Sequence, residues 1–104
     1  MQVLVNHDNH VRIGEDVAER LTRVLESSLS RFADRITRIE MHLGDVNAGK
    51  HGASDKRCVL EAHIRNLEPI AVTHQAESLR LAFDGALQKL EHALTHAIGK
   101  LATH

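Results

Sequence analysis

Towards the end of this sequence Lys89, His92, His96 and Lys100 follow one another at steps of three, four and four. On a helix that spacing places all four on one face. Nearer the start, Arg20, Arg23 and Arg31 fall on a common helical stripe that runs through Ser27. A guanidinium offers a planar fork of donors and an ammonium a point charge. Two such stripes on neighbouring helices could therefore hold phosphates spaced along a nucleic-acid backbone. Glu19, Glu26, Asp84 and Glu91 lie close by in the chain, so solvated helix faces are the competing reading.

Other chemistries find less support. His92 and His96 form an i, i+4 pair, a spacing that can bind zinc. No acid or cysteine at a matching position completes a site, and Glu61 or Glu91 would serve only if the fold brought them near. His7 and His10 in a polar turn are weaker still, so the sequence is read as holding neither metal nor cofactor. No Gly-rich phosphate loop precedes a helix, because Gly44, Gly49 and Gly52 are scattered through one polar stretch. No nucleophile elbow is present. Cys58 is flanked by alternating polarity, which marks a buried strand residue and not a nucleophile. His42 and His63 could be neighbours on an outer sheet face, where solvated strand histidines are common. The expectation is a binding protein, not an enzyme, with no small-molecule substrate.

The elements that must position these residues follow from hydrophobic periodicity. Val3 and Val5 alternate with Gln2 and Leu4, a short first strand. From about Gly14, Val17, Leu21, Val24, Leu25 and Phe32 line one face of a helix, with Glu15 and Asp16 in its first turn and Arg31 and Arg35 near its end. Acids and cations placed so complement the helix dipole. From Ile36 the period becomes two: Ile39, Met41 and Leu43 alternate with Arg38, Glu40 and His42. Asp45 to Asp55 is rich in Gly, Asn, Ser and Asp and reads as a mobile loop. Cys58, Leu60, Ala62 and Ile64 face inward on a long third strand, Asn66 to Pro69 supply a turn, and Ile70, Val72 and His74 face inward on a fourth. Ser78 is a candidate N-cap for the last helix. Its stripe of Leu79, Phe83, Ala86, Leu87, Leu90, Leu94, Ala97, Ile98 and Leu101 is the strongest periodic signal in the chain. The order is β-α-β-β-β-α. A right-handed crossover makes the first two strands parallel, and short connections make the later ones antiparallel. Two helices on one face of a four-stranded mixed sheet is the simplest way to bury both apolar faces, an α+β fold.

Composition sets bounds on this picture. The 104 residues suffice for a single domain, 1–104, with one core. Phe32 and Phe83 are the only aromatic residues besides histidine, so the core is aliphatic and base stacking on aromatic platforms has little to work with. With one cysteine no intramolecular disulfide can form. The opening Met1-Gln2-Val3-Leu4-Val5 has no basic segment before a long apolar run, which argues against a signal peptide. No stretch approaches the roughly 20 apolar residues of a membrane span. A cytoplasmic protein is expected. The formal net charge is −1 with nine histidines counted neutral. A nucleic-acid binder is usually basic overall, so the placement of charge, and not its sum, must decide.

One stretch, Ser78-Leu79-Arg80-Leu81-Ala82-Phe83-Asp84-Gly85-Ala86-Leu87-Gln88-Lys89-Leu90-Glu91-His92-Ala93-Leu94, resembles the last helix of the ribosome hibernation-promoting factors. These are also called ribosome-associated inhibitors or sigma-54 modulation proteins. In that family an aliphatic-Asp pair is followed five residues later by Lys-Leu and then by further basic residues. Phe83-Asp84 and Lys89-Leu90 keep that frame. The opening Met1-Gln2-Val3, the Val11-Arg12-Ile13 approach to the first helix and the Phe32-Ala33-Asp34-Arg35-Ile36 exit from it are also similar. The resemblance runs over nearly the whole chain.

The resemblance implies a β-α-β-β-β-α fold like that of double-stranded-RNA-binding domains. It also implies a translation inhibitor made under stress that occupies the decoding channel of the small ribosomal subunit, against 16S rRNA, and excludes messenger and transfer RNA. Arg20, Arg23, Arg31, Lys89, His92, His96 and Lys100 would then contact phosphates. A chain ending at His104 resembles the short forms of the family, without the C-terminal domain by which long forms pair ribosomes. There are departures. His92 and His96 stand where the family usually has Arg or Lys, and Glu26-Ser27-Ser28 occupies a commonly Lys-rich part of the first helix. Each lost phosphate contact weakens binding and its salt dependence. The alternative is a relative that has kept the fold, lost strong rRNA affinity and binds a protein partner.

Overall fold

The computed structural model describes residues 1–8, 11, 13–46 and 55–102, with side chains described as far as residue 99. Its elements are β1 (Gln2–His7), α1 (Glu15–Ser28), a 3-10 turn (Ser30–Phe32), β2 (Ile36–Asp45), β3 (Lys56–Ile64), β4 (Ile70–Ala76) and α2 (Leu79–Ala102). The sheet order is β1-β2-β3-β4. β1 runs parallel to β2, and the other two pairings are antiparallel. This is the α+β architecture that the periodicity implies.

Alternation decides which side of each strand enters the core. Ile39, Met41 and Leu43 of β2 and Cys58, Leu60, Ala62 and Ile64 of β3 are all buried. They meet Leu21 and Leu25 of α1 and Phe83, Leu87, Leu90 and Leu94 of α2 in one cluster. Ser78 does cap α2: its hydroxyl oxygen accepts a hydrogen bond from the Leu81 amide at 3.2 Å. His74 turns inward as expected, its ring lying over Gly85 of α2 where a β-carbon would collide with it. At the turn after β3, Asn66 takes φ 65°, a left-handed conformation that asparagine tolerates better than most residues.

Two details differ from the sequence-based expectation. The first helix stops at Ser28, so Arg31 and Arg35 do not lie in its last turn. Leu29 closes the helix, and Phe32 is buried from the 3-10 turn that follows, its amide donating to the Leu29 carbonyl at 2.9 Å. Side chains three apart eclipse one another in a 3-10 turn. The Leu29–Phe32 spacing therefore buries both residues without an α-helix. The second detail is a bulge in β2 between Ile36 and Arg38. Ile36 and Ile39 are both buried although three residues apart, which strict alternation forbids. The bulge absorbs the extra residue, and Thr37 uses its hydroxyl to donate to the His63 carbonyl at 3.1 Å.

The loop expected over Asp45–Asp55 lies, except at its ends, outside the described residues. At its base the Val46 amide donates to the Asp55 carbonyl at 3.0 Å, and Lys56 Nζ meets Asp45 Oδ2 at 2.9 Å. His10 and Arg12 are likewise outside the described residues, as are the side chains of Lys100 and Leu101. Among the described residues no helix is long and apolar enough to cross a membrane.

Candidate nucleic-acid interface on the helical layer

The apolar stripe of α2 faces the sheet, so its polar positions are left on two flanks and an outer ridge. Lys89, His92 and His96 are exposed on the flank towards β4. There a recess of about 430 Å³ is lined by His74, Gly85, Gln88, Lys89 and His92. Lys89 reaches across it and donates from Nζ to the Thr73 carbonyl at 2.7 Å. That bond occupies one of the three ammonium donors and leaves the others for a ligand.

The arginines lie on the other flank. Arg20 and Arg80 border a groove of about 250 Å³ between α1 and α2, floored by Val17, Leu21 and Leu79. Arg23 is exposed on α1, with Glu19 Oε2 4.0 Å away. Such an exposed i, i+4 pair contributes little stability and yields readily to a stronger anion. Arg31 does not continue the α1 stripe, because the helix has ended. From the 3-10 turn its guanidinium lies 4.6 Å over the Phe32 ring and donates to Thr95 Oγ1 of α2 at 2.9 Å. Thr95 comes six positions after Lys89, about 120° around the helix. The seven expected phosphate contacts thus divide. Lys89, His92 and His96 gather near β4, Arg20, Arg23 and Arg31 lie on the α1 side, and the Lys100 side chain falls outside the described residues.

The sequence reading placed neither Arg80 nor His74 among the site residues, although both line a recess on the helical layer. Asp84 at i+4 makes Arg80 look neutralised, and Arg80 Nε does hold Asp84 Oδ1 at 2.9 Å. Its position on the groove opposite Arg20 needs the packing of α1 against α2. Among the described residues Arg20, Lys89, His92 and His96 have no acidic group within ion-pair distance. These are the groups with charge, or potential charge, to offer.

The thiol is a different matter. Cys58 is fully buried, and burial pushes its pKa up to about 12. It stays a neutral thiol at ordinary pH and is no nucleophile there.

Residues 5–102 match the family model described as sigma 54 modulation protein / S30EA ribosomal protein. The N-terminal domain of Thermus thermophilus Protein Y superposes with a TM-score of 0.73 at 18% identity, covering 92% of this chain and 98% of that one. A ribosomal subunit interface protein from Coxiella burnetii superposes with a TM-score of 0.71 at 17% identity, covering 95% and 99%. At such identities these structures speak to the fold. Comparison with curated protein sequences gave no match. With the family model spanning nearly the whole chain over the same β-α-β-β-β-α framework, this protein belongs to the sigma-54 modulation protein / S30EA ribosomal protein family.

Proposed function

We propose that this protein is a ribosome-binding hibernation factor that lodges in the decoding channel of the small subunit under stress, with its helical layer against 16S rRNA. Family membership supports association with the ribosome. The observation that supports the placement is the set of basic side chains on the helical layer with no acidic partner among the described residues: Arg20 on the α1 side, and Lys89 with His92 and His96 on the β4 side. Arg23 and Arg31 add donors held by weak or neutral partners, and Lys100 continues the α2 series in sequence. Arg forks and a Lys point charge would hold backbone phosphates and fix the domain's orientation without reading sequence. Inhibition would follow from occupancy alone, so the reading requires no chemistry and no cofactor. A cytoplasmic location goes with a ribosomal partner.

Co-sedimentation with small subunits at two salt concentrations tests the reading. Arg23→Glu with Lys89→Glu should abolish co-sedimentation. Stability should change by about 1 kcal/mol or less, since only exposed contacts are lost. The matched control is Arg57→Glu with Arg65→Glu, on β3 and the turn after it, which makes the same charge change away from the helices. The control should bind nearly as the wild type does, and wild-type binding should fall steeply with salt. Equal loss in both pairs would mean that bulk charge governs binding. Binding that neither pair disturbs would place the interface elsewhere. No co-sedimentation at either salt would favour the reading in which the fold serves a protein partner.

A further inference from the structure

The sheet face turned away from the helices carries a charge arrangement that the ribosome reading does not use. Glu40 of β2 and Glu61 of β3 are directly opposed across the strand pair, and Arg38 is opposed to His63 one step along. Like charges directly opposite each other on a sheet are destabilising. Here both carboxylates converge on one imidazole nitrogen. His63 Nε2 is 2.8 Å from Glu61 Oε1 and 3.3 Å from Glu40 Oε2. A guanidinium nitrogen of Arg38 lies 3.1 Å from that same nitrogen and 3.1 Å from Glu40 Oε2.

One ring nitrogen cannot satisfy all these neighbours. As a donor to the carboxylates, Nε2–H points its proton among the Arg38 N–H groups. As an acceptor from Arg38, its lone pair faces the Glu61 oxygen. A divalent cation removes the conflict, because it takes the lone pair and one oxygen from each carboxylate together. The three donor atoms already lie within 4.8 Å of one another. Tetrahedral zinc with bonds near 2.0–2.1 Å needs ligand atoms about 3.3 Å apart. The Glu40 separation from Nε2 already matches that spacing and the Glu61 separation is about half an ångström short of it, so small side-chain rotations bring the donors into place. Arg38 can leave: its side chain is 41% exposed, and its buried Nε has no hydrogen-bond partner among the described residues.

We propose that Glu40, Glu61 and His63 form a zinc site on the outer face of the sheet, with Arg38 as the counter-ion that zinc displaces. The donor set selects the metal class. An imidazole with two carboxylates suits zinc, whereas calcium and magnesium favour oxygen donors throughout. Three protein ligands leave a fourth position for water or for a donor from a partner. Neither the helical layer nor the ribosome enters into this site, so it stands apart from the proposed function.

Calorimetric titration of zinc into the metal-free full chain at neutral pH tests the proposal, with cobalt as the spectroscopic probe. The wild type should take up zinc at this site, and its cobalt adduct should show the visible bands of a four-coordinate ion. His63→Ala and Glu61→Gln should each weaken this binding by at least about tenfold and abolish the cobalt bands. Arg38→Gln should tighten it. His92→Ala with His96→Ala, which removes the i, i+4 pair on α2, should leave it unchanged. Glu61→Gln also relieves the opposed carboxylates, so its metal-free melting temperature should be no lower than that of the wild type and its loss of zinc cannot be unfolding. Zinc uptake that survives both His63→Ala and Glu61→Gln, or that vanishes with the α2 histidine pair, would overturn the proposal. So would the lack of zinc binding at millimolar concentration.

Discussion

Replacing Gly85 by alanine should destabilise this protein, although the same change in an open helix would stabilise it. Inside a helix glycine is less favourable than alanine by about 0.8–1 kcal/mol, and Gly85 is well within α2. At this position, however, a β-carbon would run into Cγ, Cδ2 and Nε2 of His74 on β4. Cγ is only one bond from the His74 β-carbon, so no bending of a distal end can clear it. Either the ring rotates about χ1 or α2 lifts off the strand. Overpacking of this kind costs about 1–3 kcal/mol. Setting the two effects against each other leaves a net loss centred near 1 kcal/mol, with an upper end of about 2 kcal/mol. The magnitude alone is not diagnostic, but its dependence on His74 is. In a His74→Ala background the obstacle is gone, and Gly85→Ala should then stabilise by up to about 1 kcal/mol. Urea melts of the wild type, both single variants and the double variant give the coupling, which should amount to about 1–3 kcal/mol. If Gly85→Ala raised the midpoint equally in both backgrounds, the ring would not lie over the glycine and the packing of α2 on β4 would be misjudged.

Leu90 is fully buried, so Leu90→Ala should lower stability by roughly 2–5 kcal/mol in a denaturant melt, and a change under about half a kcal/mol would contradict its place beneath the sheet. Cys58 has its pKa raised by burial from 9.0 to about 12, so the folded state holds a proton that the unfolded chain releases near pH 9. Its contribution is full below that pH and is lost as pH climbs towards about 12. With no tyrosine in the chain, the alkaline fall in stability should be shallower in Cys58→Ala, as urea midpoints across that window would show. His92 and His96 lie beside Lys89 on the exposed flank of α2, so under the proposed function they belong to the surface that meets the small subunit. Arginine at both positions adds permanent charge and forked donors and should strengthen co-sedimentation with small subunits and steepen its fall with salt, and unchanged binding by the double variant would remove these residues from the interface.

The elements were legible because their signals are local. Alternation marked each strand, and the 3.6-residue period together with Ser78 marked α2. What escaped depends on contacts between elements. The Leu29–Phe32 interval fits an α-helix and a 3-10 turn alike, so the end of α1 had no unambiguous sign, and Arg31 was assigned to a stripe it does not join. Ile36 and Ile39 both looked apolar, but only the pairing with β3 shows that a bulge must separate them. Arg80 looked satisfied by Asp84 until its proximity to Arg20 placed it on the groove. Glu40, Glu61 and His63 were visible as outward residues, yet alternation says nothing about which residue of one strand stands opposite which residue of the next. That register depends on the whole β2–β3 ladder.

A net charge of −1 is only a sum, and the fold decides which cations are held by acids. On the outer sheet face Arg38 and His63 are engaged with Glu40 and Glu61, and His42 Nε2 lies 3.8 Å from the other Glu40 oxygen. At the base of the β2–β3 loop Lys56 is matched by Asp45. On the helical layer the balance differs. Arg23 and Arg80 have i, i+4 acids in solvent, while Arg20 and Lys89 have no acidic partner among the described residues. Within a Debye length of about 8–10 Å an approaching phosphate senses the nearby groups and not the molecular sum. Among the described residues Arg38 and Lys56 on the sheet side are held by Glu40 and Asp45, whereas Arg20 and Lys89 on the helical layer have no acid in ion-pair contact. Under the proposed function the two charge-matched double variants should separate: reversal at Arg23 and Lys89 acts on the helical layer, whereas reversal at Arg57 and Arg65 makes the same change in total charge on β3 and the turn after it.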